Sequence, residues 1–269
     1  MLPNTRYIAR FALLATAAAL LSPAQALNLS KIQGKGQLRI AFSTAQPPLI
    51  SQDKTGAQGF VTELLANIGK EMNVNNVAWS KVGTPQSLLD GLQAGKYDAV
   101  FESQLPRPLG TDVSLSRPLV CDGGVILTKP GGPEYEEELE GQRIAVVTGS
   151  SYFFYVRNLP FKKKITVFAD DNQALLAFLS GSVDAVVMNR YAALKIYMKA
   201  GPKKVQVGPL LWSEDINLVL KNTGDTRGIT NTDVLGPISV ILKKMRDDGR
   251  YAALSKKYFG QDVRCEIWR

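Results

Sequence analysis

Gly181-Ser182-Val183-Asp184-Ala185-Val186 repeats an earlier stretch, Gly95-Lys96-Tyr97-Asp98-Ala99-Val100, so the pattern G-x-x-D-A-V occurs twice. The preceding residues match in kind: Leu89 and Leu92 stand before the first copy at the offsets of Leu175 and Phe178 before the second. Each segment reads as an amphipathic helix, a glycine stop and a buried strand that begins at the aspartate. A second echo lies upstream, Gly36-Gln37-Leu38-Arg39-Ile40-Ala41 against Gly141-Gln142-Arg143-Ile144-Ala145. Two similar lobes in tandem are the expectation, since a repeat of this length marks a repeated structural unit. The twinning also argues that Asp98 and Asp184 are structural, one at each strand start.

Working outward, residues 1–26 read as a cleavable leader. Arg6 and Arg10 give a basic start, an apolar run follows, and Ala24-Gln25-Ala26 has the small-residue pattern of a cleavage site. The apolar run is shorter than the 18–20 or so residues a membrane span needs. A soluble, exported and periplasmic product is therefore expected. With 45% hydrophobic and 21% charged residues the remainder has material for a large core. The formal charge of +8 is spread over scattered lysine pairs and one triplet, 162–164. That pattern fits solvated faces and speaks against a nucleic-acid role; it leaves at most a mild preference for acidic ligands.

The chain has no histidine, which removes histidine-based triads, the usual zinc sites and the commonest general base. No metal or cofactor is expected. The two cysteines, Cys121 and Cys265, either pair or stay as separate buried thiols. An oxidising compartment favours the pair.

The order of elements follows from periodicity. Strands are expected at 38–42, 77–79 and 98–101, with helices at 60–72 and after Thr84-Pro85, a cap and first-turn proline. The second lobe replays this with strands at 143–147, 165–168 and 184–188 and helices at 150–158 and 172–179, the last capped by Asp170. After Trp212 the pattern has no partner in the first lobe, so residues 213–269 are read as a return to it. The division is 27–119 for lobe 1, 120–212 for lobe 2 and 213–269 for the return, an α/β fold with mainly parallel sheets. The chain then crosses between lobes twice, and a hinged cleft is where a ligand would sit.

Several motifs, in order, resemble those of the type II periplasmic solute-binding proteins, bacterial family 3, which serve polar amino acid transporters. They are Pro47-Pro48 with Gly59-Phe60-Val61-Thr62-Glu63-Leu64, then Leu92 to Val100, Leu139 to Ser150, and Asp248-Gly249-Arg250-Tyr251 followed by Lys257-Tyr258-Phe259-Gly260; Ser114 to Leu119 matches more weakly. The resemblance implies a monomeric, non-enzymatic protein that closes on a small polar or anionic solute and delivers it to an ABC-type permease.

It also implies a site. The family's amide turn falls on Thr148, Gly149, Ser150 and Ser151, where free N–H groups at a helix start face an anion; the same turn also serves as a plain strand-to-helix junction. The carboxylate-clamping arginine falls on Arg107, in a loop Ser103-Gln104-Leu105-Pro106-Arg107 that departs from the family pattern, and an exposed loop arginine is the other reading. The ammonium-binding aspartate is replaced by Asn189, which brings no compensating charge. Glu214 or Asp215 could supply an anion instead. Ser43 and Gln46, on the loop after the first strand, and Ser103 and Tyr152 complete the expected set. Two other functions share the fold: an accessory scaffold for a periplasmic enzyme or sensor, and a dehydratase-like enzyme using Glu102, Glu214 or Asp215 as its acid.

Overall fold

In the computed structural model, described for residues 28–103, 105, 109, 112–222 and 232–265, both G-x-x-D-A-V copies sit at the same point of two similar sheets. The expected leader, 1–26, lies outside the described residues. Lobe 1 opens with α1 (Leu29–Lys35) and β1 (Gln37–Phe42), followed by a small hairpin, β2 (Ser51–Asp53) and β3 (Gly56–Gln58). Then come α2 (Phe60–Glu71), β4 (Asn76–Lys81), α3 (Pro85–Gln93), β5 (Ala99–Phe101) and β6 (Val113–Leu115). The first crossing is β7 (Val120–Asp122), which leads into β8 (Gly124–Thr128) of lobe 2.

Lobe 2 continues through β9 (Arg143–Val147), α4 (Ser151–Asn158), β10 (Lys164–Phe168), α5 (Asp171–Leu179), β11 (Ala185–Asn189), α6 (Arg190–Ala200) and β12 (Gln206–Leu210). The chain returns through β13 (Glu214–Ile216) to β14 (Leu218–Lys221), α7 (Thr232–Asp247) and α8 (Arg250–Phe259). The strand orders are β4-β1-β5-β14-β6 and β10-β9-β11-β8-β12. The repeat thus extends further than the sequence implied: β14, expected to lack a partner, takes in lobe 1 the place that β8 takes in lobe 2. Each sheet is mixed, with parallel pairings around β1 or β9 and antiparallel pairings to the strand arriving from a crossing.

The duplicated elements form for the expected local reasons. Thr84 and Ser87 make a reciprocal capping box at α3, and Asp170 caps α5 by accepting from Gln173 N. Gly95 (φ 70°) and Gly181 (φ 79°) stop these helices in the left-handed region, which costs a glycine nothing. Each following strand then docks by one device. Asp98 Oδ2 accepts from Arg39 N (2.8 Å) and Nε (3.1 Å), and Oδ1 accepts from Nη2 (2.7 Å). Asp184 makes the same bonds to Arg143, at 2.9, 3.0 and 2.6 Å. Both aspartates are structural pins that fix strand register with a bidentate, charge-assisted pair.

Alternate residues of the central strands feed opposite faces. Leu38, Ile40 and Phe42 join the large lobe 1 core with α2 and the C-terminal helices, while Ala41 packs with Leu88, Leu92, Val100 and Val219 under α3. Lobe 2 divides the same way, Ala145, Val186 and Met188 on one side and Ile144, Val146 and Val187 on the other. No helix among the described residues is long and apolar enough to cross a membrane.

The crossings are braced from behind. β7 and β13 pair antiparallel, and Cys121 is joined to Cys265, 144 residues on. Carbonyls along the first crossing accept from Arg246 (Pro118 O, 2.8 Å), Tyr251 (Leu119 O, 2.9 Å), Tyr191 (Cys121 O, 2.9 Å) and Arg190 (Cys121 O, 3.0 Å). The aromatic rings of Phe60, Tyr251, Tyr258 and Phe259 lock α8 onto α2, and Tyr191 of lobe 2 packs against Phe259 at 5.3 Å.

Candidate binding cleft

A cleft of about 610 Å³ opens between the lobes at the crossings. Gln46 and Ser103 line it from lobe 1, Ser151, Tyr152 and Asn189 from lobe 2, and Asp122, Gly123, Ser213, Glu214, Asp215 and Ile216 from the crossings themselves. No lysine or arginine is among these described lining residues, while three carboxylates are.

On the lobe 1 side, Glu102 at the end of β5 is buried and organises the loop. It accepts from the N–H and hydroxyl of Ser43, from Thr44 N (3.0 Å) and from Ser103 N (2.9 Å). Ser43 is therefore turned away from the cleft: its donors are committed to Glu102 and it is buried. Gln46 and Ser103 do meet at the wall, where Ser103 Oγ donates to Gln46 Oε1 at 3.0 Å. Glu102 in turn serves as a bracket for the loop. Arg107 lies outside the described residues.

On the lobe 2 side the Thr148-Gly149-Ser150 turn is built as a junction. Thr148 N donates to Phe168 O, Gly149 takes φ 67°, and the Ser150 hydroxyl caps α4 by accepting from Phe153 N at 3.1 Å. Of that turn, Ser151 reaches the cleft, followed by Tyr152. Burial pushes the Tyr152 hydroxyl up to about 12, with the Asn189 amide beside it pulling the other way.

Asn189 ends β11 and caps α6: its Oδ1 accepts from Tyr191 N (3.0 Å) and Ala192 N (3.1 Å). Its Nδ2 donates to both oxygens of Asp122, at 2.9 and 2.8 Å. A carboxylate on β7 thus stands against the Asn189 amide. Asp122 is buried, accepts from Gly123 N at 2.8 Å, and stands directly opposite Glu214 in the β7–β13 register. Burial pushes the Asp122 carboxyl above its ordinary value; the Gly123 and Asn189 bonds oppose this and the Glu214 charge adds to it. Sequence reasoning named Glu214 and Asp215 but missed Asp122. The one available signal was its place beside Cys121 at the first crossing.

Asp215 Oδ1 lies 3.3 Å from Cys121 Sγ. Cys121, Asp215 and Cys265 cluster closely, but both sulfurs are spent in the disulfide, so the group offers no thiolate to a metal.

Comparison with known proteins follows the architecture. The profile of bacterial extracellular solute-binding proteins, family 3, matches residues 38–261. The L-cystine-binding protein TcyJ of Escherichia coli (strain K12) is 24% identical over 240 residues, 87% of this chain and 87% of TcyJ. The lysine/arginine/ornithine-binding periplasmic protein of the same strain is 25% identical over 238 residues, 84% of this chain and 88% of that one. Both are binding proteins by name. Among solved structures, a polar amino acid ABC uptake transporter substrate binding protein from Streptococcus thermophilus superposes with a TM-score of 0.75 at 18% identity, covering 89% of this chain and 92% of that one, a likeness of fold. With the family profile spanning nearly all of the two-lobed region and its cleft, the chain belongs to the bacterial extracellular solute-binding proteins, family 3.

Proposed function

We propose that the cleft captures a small polar solute through an ammonium or other cationic group, and that the exported protein delivers it to an ABC-type permease. The observation that carries this is the carboxylate pair Asp122 and Glu214, opposed across the two hinge strands in a cleft whose described lining has no basic residue. Like charges directly opposite in an antiparallel pair repel. A cation between them relieves that repulsion and replaces lost hydration of a buried carboxylate. In this reading Asn189 does not take the ammonium itself. It holds both oxygens of Asp122 and so presents the charge that does.

The other end of an amino acid solute would meet the start of α4, where Ser151 and Tyr152 stand at the positive end of the helix dipole. Arg107 is proposed as an additional clamp for that carboxylate, and Gln46 and Ser103 as the lobe 1 contacts. The names of the relatives agree in kind: cystine, lysine, arginine and ornithine all carry ammonium groups. A simple anion, the other class the family resemblance allowed, is disfavoured by Coulomb repulsion in this cleft.

The test is thermal denaturation of the mature, disulfide-intact protein against a panel of cationic, neutral and acidic amino acids and organic acids. A saturable rise in melting temperature with cationic or zwitterionic amino acids is expected. A rise with organic acids alone would overturn the reading, and no rise with any member would favour the accessory-scaffold alternative.

A further inference from the structure

Trp212 does not line the cleft, yet it touches what shapes it. Its indole Nε1–H donates to Glu214 Oε1 at 2.9 Å. Its ring packs on Tyr155 (centroids 4.6 Å apart) and Tyr152 (5.6 Å), both on α4 of lobe 2. Trp212 also stands close against Gly123 and Gly124: a Cβ at Gly123 would strike the Trp212 carbonyl oxygen, and one at Gly124 the indole ring. Backbone and side chain together, Trp212 therefore joins the second crossing, the end of the first crossing and the lobe 2 wall.

The consequence concerns Glu214. A glutamate side chain has several rotatable bonds, and opposite a buried carboxylate its lowest-energy course is to swing away into solvent. The indole N–H opposes that by binding one carboxylate oxygen, while the indole is itself held by the aromatic stack and the glycine seat. We propose that Trp212 is a positioning residue that sets the selectivity of the cleft, fixing Glu214 across from Asp122 so that net-cationic solutes are preferred over net-neutral ones of similar size. The inference rests on the reading of the cleft given above. A net-neutral amino acid brings one ammonium, which Asp122 satisfies. A cationic amino acid brings a second positive group, and a fixed Glu214 gives that group a partner directly across from Asp122.

Isothermal titration of the mature, disulfide-intact protein with L-arginine and with L-glutamine tests it, on wild type, Trp212→Phe, Glu214→Gln and the double variant. Phenylalanine keeps an aromatic ring against Tyr152 and Tyr155 and removes the N–H donor together with part of the indole's bulk over Gly124. The expected result is a fall in the arginine-to-glutamine affinity ratio of roughly tenfold in each single variant, the size of one charge-assisted contact, and no further fall in the double variant. A structural role alone would weaken both solutes equally and leave the ratio unchanged; that result overturns the proposal. Should Trp212→Phe fail to fold, as judged by circular dichroism, Glu214→Gln carries the test, and an unchanged ratio there also overturns it. If wild type binds no cationic probe, the reading of the cleft fails and this proposal with it. If wild type prefers arginine and Trp212→Phe keeps the full preference, Trp212 alone loses its role.

Discussion

The strand starts and the hinge strands handle their carboxylates in opposite ways. At the base of each lobe an arginine is spent on an aspartate, Arg39 on Asp98 and Arg143 on Asp184, with a backbone N–H added to each. At the hinge, Asp122 and Glu214 face each other, and neither appears in an ion pair among the described residues. The bonds from Arg143 hold the Asp184 carboxyl below its ordinary range, while burial lifts Asp122 above it. The first arrangement is neutralised internally and adds to stability. The second costs stability, with the Arg190 charge offsetting only part of the burial, and in the function proposed above it leaves charge for a solute.

If that contrast is right, the hinge must be held by something other than its own charges. The disulfide and the carbonyl clamps are the candidates. Replacing Cys121 and Cys265 together by serine removes a link across 144 residues, worth about 5 kcal/mol by loop entropy, with measured values often lower. The melting temperature is expected to fall by roughly 10–20 °C; an unchanged value in calorimetry would show that the clamps alone suffice. Next in size is Asp122→Asn. Affinity for L-arginine should drop about 100-fold, the loss of a buried charge-to-charge contact, while the unliganded protein melts higher than wild type. A variant that melts lower would place Asp122 with the structural aspartates and erase the contrast.

The complementary substitutions act on the strand starts. Asp98→Asn should cost about 2 kcal/mol, since it removes a bidentate charge-assisted pair from an aspartate only 10% exposed. Asp184→Asn should cost less, because its side chain is 32% exposed and water competes for the guanidinium. Neither should alter affinity for the solute in titration calorimetry. A loss of affinity equal to that of Asp122→Asn would mean that the strand starts and the cleft are not separable.

The sequence made the repeated skeleton legible because that part is fixed by local rules: a cap, a glycine stop and an apolar strand each have a signature. Even the pinning role of Asp98 and Asp184 could be read, since an aspartate kept at both copies cannot be particular to one ligand contact. The cleft resisted for a different reason. Asp122, Glu214 and Asn189 meet only through the pairing of β7 with β13 and the reach of a helix cap, contacts spanning 67 residues or more. Asn189 looked like a lost charge because its partner stands on another strand. Ser43 looked available because nothing local shows that Glu102, far along the chain, takes its donors.

The smallest predicted effect is also the most discriminating, because it turns on sign. Asp122 has a raised value in the folded chain. Its carboxyl therefore favours folding below the unfolded value of about 4, and that contribution is lost as pH rises through the raised one. Asp184 has a lowered value. Its contribution is present above about 4 and is lost only as pH falls through the lowered one. Melting curves taken from pH 7 downward should thus show two gaps closing in order. The gain of Asp122→Asn over wild type shrinks first and loses its pH-dependent part by about pH 4, because wild-type Asp122 has by then become neutral. The deficit of Asp184→Asn holds steady over that interval and begins to shrink only below about pH 4. Gaps that closed together would mean that the two aspartates titrate alike, and the hinge carboxylate would then lack the desolvation that makes it a site for a cation.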